Sequence, residues 1–450
     1  MRVFSFGRCG RRPGLAGWGV TLALLLSLAS QGARAIPVFA RQTGASCADC
    51  HAGSYGPALT PYGMRFKLGG YTDTDGKGRT IPVSLQLTET HLVPAKGNNS
   101  TALTEGDLFL AGRLTDNVGG VVKVVAARTG PGKYNTQLGD VDLRYVAKEL
   151  TIGGKSALLG VTVNNNPGFQ DPIGALPAFS DLLQGGRTGT LLNPAAPNAL
   201  ANHVIGASLY GVYDTVWYAE AGTYRSLSLA GQDAIGFRPG SDPGHLSDTG
   251  YVRFAYMKDM RRQFVSAGVV ALTSQRRLPR AAPADQLDDY GYDLTYQYLG
   301  NREHILQASY VNIYEHRRYG SRPANPLVPG SLASARGYAR DEILSATYTF
   351  MQTYGVTVSH LRGTGSDDPA RYSPVLPDPD ATTNYLTLFW APFGKDDAWI
   401  SKGNLKLAAT WFRTLRFNGR SSNIFGAPPG VRGANAADIN GFVITANLAF

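Results

Sequence analysis

Cysteine is scarce in this chain, and its few positions limit the chemistry. The 450 residues include three cysteines, Cys9, Cys47 and Cys50, and Cys9 lies within the first dozen residues. A zinc site would need a fourth ligand and usually a second cysteine pair, which the chain does not have. A disulfide between cysteines two residues apart would close a tiny loop and stabilise the fold little. The pair therefore needs another explanation.

Charge and long apolar runs are also scarce. Charged residues make up 17% of the chain. It has no Lys/Arg stripe with interleaved aromatic residues, which argues against nucleic acid as a partner. After the first thirty residues, no apolar run reaches the ~20 residues of a membrane helix. At this length the chain can instead bury a large core or close a large barrel.

Residues 1–35 have the three-part composition of a secretory signal. Arginines near the start precede the apolar run "GVTLALLLSLAS", and the small residues "ARA" come last. This order predicts export with cleavage before Ile36. An uncleaved membrane anchor is the alternative, but the apolar run is short for a span. The signal holds five arginines and no acid, so the formal charge falls from +10 to +5 in the mature chain.

The next segment, residues 36–80, carries the motif "CADCH". In an exported chain, C-x-x-C-H is the attachment motif of a c-type haem. Cys47 and Cys50 would form thioethers with one porphyrin, and His51 would coordinate its iron as the proximal ligand. A thioredoxin-like dithiol is the other interpretation, but the strand and the βαβ unit that it needs are not visible. The motif predicts one covalent haem c.

The motif does not fix the sixth ligand of such an iron. Met64, in "ALTPYGMRFKLGG", is the only methionine near the motif, and a thioether ligand raises the reduction potential. Packing on a short helix is the alternative role for Met64. More distant candidates are Met257, Met260 and Met351, which lie at predicted turns. His91 lies on the first predicted strand and is expected to face lipid or a loop.

From Ile81 onward, apolar residues recur at every second position. In "DYGYDLTYQY", four tyrosines and a leucine share one face, while Gly, Asp, Thr and Gln share the other. A soluble sandwich would also alternate. However, short turns such as 394–403 alternate with longer Pro-, Gly- and Asn-rich connections such as 94–104, 130–135 and 166–202, as they do in outer-membrane barrels. The last strand ends on an aromatic residue, Phe450.

These patterns predict an all-β transmembrane barrel of about 16 antiparallel strands over residues 81–450. The segment 36–80 is too short to bury a haem in a core of its own. Both ends of an even-stranded barrel lie on the periplasmic side, so this segment begins at the periplasmic mouth. We therefore expect a small, mainly helical or irregular haem domain that folds into the lumen as a plug.

A resemblance to a known family supports this architecture. "PVFARQTG", "CADCH", "LTPYG" and "FKLGGY", followed by the predicted barrel, resemble the fused monohaem cytochrome–porins of the bacterial outer membrane. The best-known members serve iron-oxidising bacteria. Family members often have Arg-x-Phe-Lys after the glycine that matches Gly63, whereas this chain has Met64 at that point.

The resemblance implies that Cys47, Cys50 and His51 carry the haem. It also implies an oxidoreductase that takes electrons from an extracellular donor such as Fe(II). The acceptor would be a periplasmic c-type cytochrome or another soluble electron carrier.

Other functions remain open at this point. The chain would also suit a diffusion porin whose haem segment acts as a plug or redox gate, or a conduit that sends electrons outward to an extracellular acceptor. A soluble periplasmic cytochrome with an all-β partner domain fits less well, because of the loop alternation and the terminal Phe450. Acidic loops could hold a cation transiently, but ordinary loop polarity explains them as well. Their residues are Asp242, His245, Asp248, Asp367, Asp368, Asp378 and Asp380.

Overall fold

The computed structural model describes residues 37–78, 81–174, 176, 189–193, 200–237, 242–320, 335–369, 372, 375–395, 398 and 403–450. The predicted signal peptide, residues 1–35, lies outside the described residues, so its cleavage stays a prediction. Residues 37–78, here called the N-terminal segment, precede the first strand of a single large sheet.

The strands of the described residues close into one antiparallel barrel. Each strand pairs with its neighbours in sequence, and β1 pairs with β16 to complete the ring. The predicted fold class, a barrel of about 16 antiparallel strands, is therefore confirmed. In chain order, β1 to β16 are Val83–Pro94, Ser100–Arg113, Val118–Gly130, Lys133–Ile152, Lys155–Asn164, Val204–Tyr213, Trp217–Ser226, His245–Asp259, Gln263–Arg277, Asp285–Tyr298, His304–Arg318, Arg336–Phe350, Tyr354–Gly365, Ala381–Trp390, Asn404–Arg416 and Gly441–Ala449.

The two ends of the barrel have connections of different length. At one end, here called the short-turn end, strands are joined by tight turns such as 153–154 and 214–216. The other end, the long-loop end, carries long connections such as 165–203 and 417–440. Strand β1 starts and β16 finishes at the short-turn end, so both termini of the barrel lie there.

Three predicted connection lengths are wrong. The connection predicted at 130–135 is the two-residue turn 131–132, where Gly132 adopts a positive φ of 66°. The connection predicted at 94–104 shrinks to 95–99 because β2 begins at Ser100. The turn predicted at 394–403 extends over 391–403, because the chain there bends toward the N-terminal segment and the Gly394 carbonyl accepts a hydrogen bond from the amide of Ala48 at 2.9 Å.

Alternation along each strand separates an outer face from an inner face. On β10, Tyr290 and Leu294 point outward and are about half exposed, whereas Asp293 and Gln297 point inward and are buried. A β-strand turns successive side chains to opposite faces, so the period of two in the sequence becomes two differently solvated walls. The predicted faces of this strand are confirmed.

The outer face carries an apolar band bordered by aromatic residues. Leucine and valine side chains lie exposed along the middle of the strands, as a lipid-facing wall requires. Exposed aromatic residues gather near both ends. At the short-turn end they include Tyr213, Trp217, Tyr298, Tyr354 and Trp390, and toward the long-loop end they include Tyr134, Tyr290, Tyr314 and Tyr338. This distribution is consistent with a location in the bacterial outer membrane.

The described helices are short and are not part of the barrel wall. Helices α1 (Pro37–Thr43), α2 (Cys47–Cys50) and α3 (Pro61–Leu68) form most of the N-terminal segment. Helix α4 (Leu229–Ala234) and two 3-10 helices, Pro167–Gln170 and Ala436–Ile439, belong to connections at the long-loop end. Within the described ranges, no helix is long and apolar enough to cross a bilayer.

Two segments contact the inner face of the barrel and each other. The Tyr210 hydroxyl on β6 donates to the carbonyl of Leu68 in the N-terminal segment at 2.7 Å. The amide of Leu192, in the connection 165–203, donates to the Asp289 carboxylate on β10 at 2.9 Å. The amide of Leu59 donates to the carbonyl of Ile173 at 3.1 Å, which joins the two segments.

A buried ion pair and a hydrogen bond from a lysine fix the described parts of the two segments. Arg253 on β8 places one guanidinium nitrogen 2.8 Å from the carboxylates of both Asp171 and Asp293, and all three side chains are buried. The Lys67 ammonium donates to the carbonyl of Asp171 at 2.9 Å. Removing one partner of a buried pair costs about 3–5 kcal/mol because the other charge stays uncompensated. These contacts therefore hold the segments at one depth in the lumen.

A charge on the outer face should destabilise the barrel. Leu294→Arg places a guanidinium in the apolar band, and we expect a loss of about 2–4 kcal/mol in the free energy of unfolding from bilayers. The control is Val431→Arg, because Val431 is exposed in a long-loop connection. Urea titration of each variant folded into vesicles measures its free energy of unfolding. Equal losses in the two variants would contradict a lipid-facing wall.

Candidate functional site

The C-x-x-C-H motif is built on one helical turn. The Ser46 amide donates to the Asp49 carboxylate at 2.7 Å, and the Asp49 amide donates to the Ser46 hydroxyl at 3.2 Å, which together make a capping box. This box starts α2 at Cys47 and satisfies free amides of its first turn. Because residues three apart share one face of a helix, the box presents Cys47 and Cys50 on the same side.

Helix α3 and the barrel rim hold this turn in place. The amide of Thr60 donates to the carbonyl of Cys50 at 2.9 Å. Arg302, in the turn between β10 and β11, forms an ion pair with Asp49 inside the motif. Gly63 on α3 approaches so closely that an added methyl group would overlap the carbonyl oxygen of Cys50. The motif is therefore fixed both to α3 and to the short-turn end.

His51 directly follows the turn and is largely enclosed. Its amide donates to the Cys47 carbonyl at 2.8 Å, and its ring lies against the backbone of Gly56. Burial lowers the pKa of His51 to about 4, so the imidazole is neutral at physiological pH. Within the described part of the chain, its Nδ1 atom has no hydrogen-bond partner. A neutral imidazole is the form that coordinates metals.

The two cysteines are buried and stand as separate thiols in the described structure. Burial, followed by the nearby Asp49 carboxylate, raises the pKa of Cys50 to about 12. A thiol with so high a pKa is a weak nucleophile, which argues against a redox-active dithiol. Among the described residues, no group of three or more His, Cys, Asp and Glu side chains is placed to bind a metal ion.

This donor set fits covalent haem. It has two thiols on one face of a helical turn, followed at once by a neutral, largely enclosed imidazole whose Nδ1 lacks a partner. These are the groups that thioether attachment and proximal coordination use. The fit concerns Cys47, Cys50 and His51, as predicted, and the attachment itself stays a prediction.

Met64 and Tyr62 lie on different faces of α3. Met64 packs in a buried cluster with Leu68, Met257 and Phe264, which face it from inside the barrel. Tyr62 is the α3 side chain that packs against the cysteines. Ligation by Met64 stays a prediction.

The other ligand candidates divide into buried and exposed residues. Met257 is buried beside Met64, whereas Met260 and Met351 are about half exposed at the short-turn end. His91 lies on the exposed side of β1, and its Nδ1 is 2.6 Å from the Thr101 hydroxyl.

Three of the six acidic loop residues pair with arginine. Asp242 accepts hydrogen bonds from Arg280 at 2.8 Å, and this contact lowers the pKa of Asp242 to about 2. Asp378 and Asp380 each lie 3.7 Å from Arg416. The pairing supports ordinary loop polarity over a cation site.

Sequence reasoning missed two features of the site. The salt bridge between Asp49 and Arg302 joins residues far apart in the chain, and no local pattern signals it. The sequence predicted a long loop at 166–202, of the kind that lies outside an outer-membrane barrel, yet the described parts of the connection 165–203 bind the inner wall. The sequence signal for this placement was the polar run "NNNPGFQD". In the structure, its residues Asn165, Asn166 and Gln170 are all buried.

Several solved outer-membrane proteins are similar in structure to this chain. No family model and no curated protein matches it. Similar solved structures include the outer-membrane protein OmpT of Vibrio cholerae, with 11% identity and a TM-score of 0.42 over 82% of this chain and 96% of that one. The outer-membrane channel DcaP of Acinetobacter baumannii has 10% identity and a TM-score of 0.43 over 82% and 96%. OmpF of Salmonella typhi, solved with daunomycin, has 11% identity and a TM-score of 0.44 over 82% and 97%.

The close packing of α3 on the motif can be tested at Gly63. We expect Gly63→Ala to cost about 1–3 kcal/mol through overpacking against the Cys50 backbone and to reduce the yield of covalently modified protein. Gly130→Ala is the control, because no neighbouring atom lies within 4 Å of a methyl group there. Thermal unfolding and haem staining after denaturing electrophoresis measure the two effects. A Gly63→Ala protein that matches Gly130→Ala in both would contradict the packing argument.

Proposed function

We propose that the protein is an outer-membrane electron conduit with one c-type haem bound at Cys47, Cys50 and His51. One observation carries the proposal: the described structure holds the C-x-x-C-H turn against the rim and inner wall of a closed barrel. A haem bound there would supply one-electron redox chemistry within the barrel. An electron conduit fits a porin-like fold whose lumen is largely filled, because electrons do not need an open channel.

The chain's own residues position the motif and shield it from water. The salt bridge between Asp49 and Arg302 joins it to the short-turn end, which we assign to the periplasm because barrels of this class have short periplasmic turns. Helix α3 covers the cysteines, and the loop around Gly56 covers His51. A rigid and largely dry environment of this kind tunes the potential of a bound redox centre.

The proposed direction is inward, from an extracellular donor such as Fe(II) to a periplasmic c-type cytochrome or another soluble carrier. Oxidation at the outer side would leave the ferric product outside the cell. The attachment of the motif at the short-turn end supports exchange with a periplasmic partner. An outward conduit uses the same residues, so the direction depends on the reduction potential.

A diffusion porin with a haem plug or redox gate is the second candidate. It is favoured by hydroxyl pairs on the inner wall, such as Thr347 with Thr357 and Thr387 with Thr410, each 2.9 Å apart. These side chains are partly exposed, so one side of the lumen offers a surface of hydroxyl groups. Such a surface suits the passage of small polar solutes.

The conduit proposal is tested by adding Fe(II) anaerobically to cells that express the protein and recording the haem α-band. We expect rapid reduction in the wild type and no signal in His51→Ala, because the proximal ligand is lost. His91→Ala is the matched control, since His91 lies on the exposed side of the wall. A periplasmic reporter cytochrome shows whether electrons arrive inside.

The outcomes separate the candidates. If the haem stays oxidised with Fe(II) but is reduced from the periplasmic side, the inward conduit for iron is wrong and the outward conduit or the gated porin replaces it. Expression without covalent haem in the wild type would contradict every haem-based function.

The sixth-ligand prediction is tested with a matched pair of buried methionines. Met64→Leu and Met257→Leu alter the same cluster, and each should cost less than about 1.5 kcal/mol in stability. If Met64 ligates the iron, only Met64→Leu should lower the reduction potential, because a thioether ligand raises it. Equal potentials in both variants would show that Met64 is a packing residue.

A further inference from the structure

The inner wall of the barrel has two sectors with different surroundings. The inner residues of β4, β7, β8 and β10 are fully buried by the two segments, as Asp142, Glu220, Arg253 and Asp293 show. The inner faces of β1 and of β12 to β16, here called the hydroxyl sector, are less completely covered, and several of their polar residues stay partly exposed to the lumen. They are Gln86, Thr88, Thr347, Thr357, Thr387, Lys406, Thr410, Thr445 and Asn447.

The loop after His51 lies directly against the hydroxyl sector. A methyl group on Gly53 would lie 3.7 Å from the Thr349 hydroxyl on β12 and 3.9 Å from the Phe389 ring on β14. The Ser54 carbonyl accepts a hydrogen bond from the Asn404 side chain on β15 at 2.7 Å. The haem motif and this sector are therefore neighbours.

Lys406 is the basic residue in this sector, and its surroundings are unusual for a lysine. Its ammonium lies 4.7 Å from the centre of the Phe389 ring and 5.5 Å from the centre of the Tyr55 ring. Within the described part of the chain, it forms no ion pair with a carboxylate. Lys123, also on the inner wall, instead pairs with Glu105 at 2.8 Å and with Asp107 at 2.9 Å.

Contacts with aromatic rings alone offset little of the free energy that is lost when an ammonium group leaves water. A cation–π contact is worth about 0.5–2 kcal/mol, whereas withdrawing an ammonium from water costs several kcal/mol. Lys406 is partly exposed to the lumen, so only part of this cost applies to it. A charge with limited access to water is normally paired, so the position of Lys406 fits an anionic group on its lumen side.

Tyr55 provides a second polar group at the same place. Its hydroxyl is buried and has no hydrogen-bond partner among the described residues. A buried hydroxyl left unpaired costs about 1–3 kcal/mol. Tyr55 lies four residues after His51, and Lys406 approaches its ring, so a donor without a partner and an unpaired cation meet beside the haem motif.

We propose that Lys406 and Tyr55 bind the propionate carboxylates of the haem attached at Cys47 and Cys50. This inference rests on the proposed function and adds the anion-binding residues of that site. The ammonium supplies a positive charge and the phenol supplies a hydrogen bond, which match a carboxylate. Hydroxyls and amides of the hydroxyl sector, such as Thr387 and Asn447, provide further polar surface around it.

The test compares purified full-length holoproteins carrying Lys406→Met, Lys406→Arg and Tyr55→Phe. Lys155→Met is the control, because Lys155 makes an exposed pair with Asp214 at the short-turn end. Redox titration followed by visible spectroscopy gives the midpoint potential, and haem staining after denaturing electrophoresis reports the covalent attachment. Resistance to unfolding in detergent at room temperature confirms that each barrel is closed.

We expect all variants to keep covalent haem, because thioether attachment does not use Lys406. Loss of the cation should disfavour reduction about tenfold, or about 59 mV for a one-electron couple, because it removes a positive charge near the electron. Lys406→Arg should restore most of the wild-type potential, and Tyr55→Phe should shift it less.

Two results would overturn the inference, and they are distinguishable. If Lys406→Met keeps the potential of Lys155→Met while both carry haem, Lys406 does not bind the propionates, and the proposed conduit still stands. If the wild type carries no covalent haem, the proposed function and this inference fail together. In that case, chloride-dependent conductance lost in Lys406→Met would assign the residue to a permeating anion instead.

Discussion

The closure of the sheet between β1 and β16 is the constraint on which the rest of the structure depends. In hydrocarbon, every backbone N–H and C=O group must find a partner within the protein. Leu85 and Phe450 exchange hydrogen bonds of 2.8 and 2.9 Å at this seam, so no edge strand remains open. Closure of so many strands leaves a lumen wider than side chains alone can fill. The N-terminal segment and the described parts of the connection 165–203 fill much of it.

The filling is asymmetric, and the asymmetry follows from the side chains of the wall. Strands with charged inner residues bind the inserted segments: Arg253 on β8 forms a buried ion pair with Asp171, and Asp142 on β4 accepts a hydrogen bond from the Tyr71 hydroxyl at 2.6 Å. Strands with threonine and serine on the inner face offer weaker hydrogen bonds to each other, as Ser345 and Ser359 do at 2.9 Å. The described parts of the segments therefore gather on the side rich in charged residues, and the hydroxyl sector stays partly exposed to the lumen.

The sequence was sufficient for the fold class and for the candidate haem ligands, because both have local signatures. Alternation in strands such as β10 and the spacing of Cys47, Cys50 and His51 can be read within a few residues. The contacts that position the site could not be predicted. Asp49 meets Arg302, and Tyr55 meets Lys406, only after closure brings distant strands to one side of the lumen. The tight turn at Gly132 was missed because its length depends on strand pairing.

In the proposed conduit, the direction of electron flow depends on the reduction potential of the haem, and charges beside the motif contribute to that potential. Toward the long-loop end, the inner wall carries a buried apolar cluster of Tyr385, Phe412 and Val443. A buried apolar surface of this kind lowers the local dielectric. Coulomb interactions grow as the dielectric falls, so one cation such as Lys406 has more influence on a nearby redox centre here than in bulk water. One barrel could therefore serve either direction after a small change in these charges.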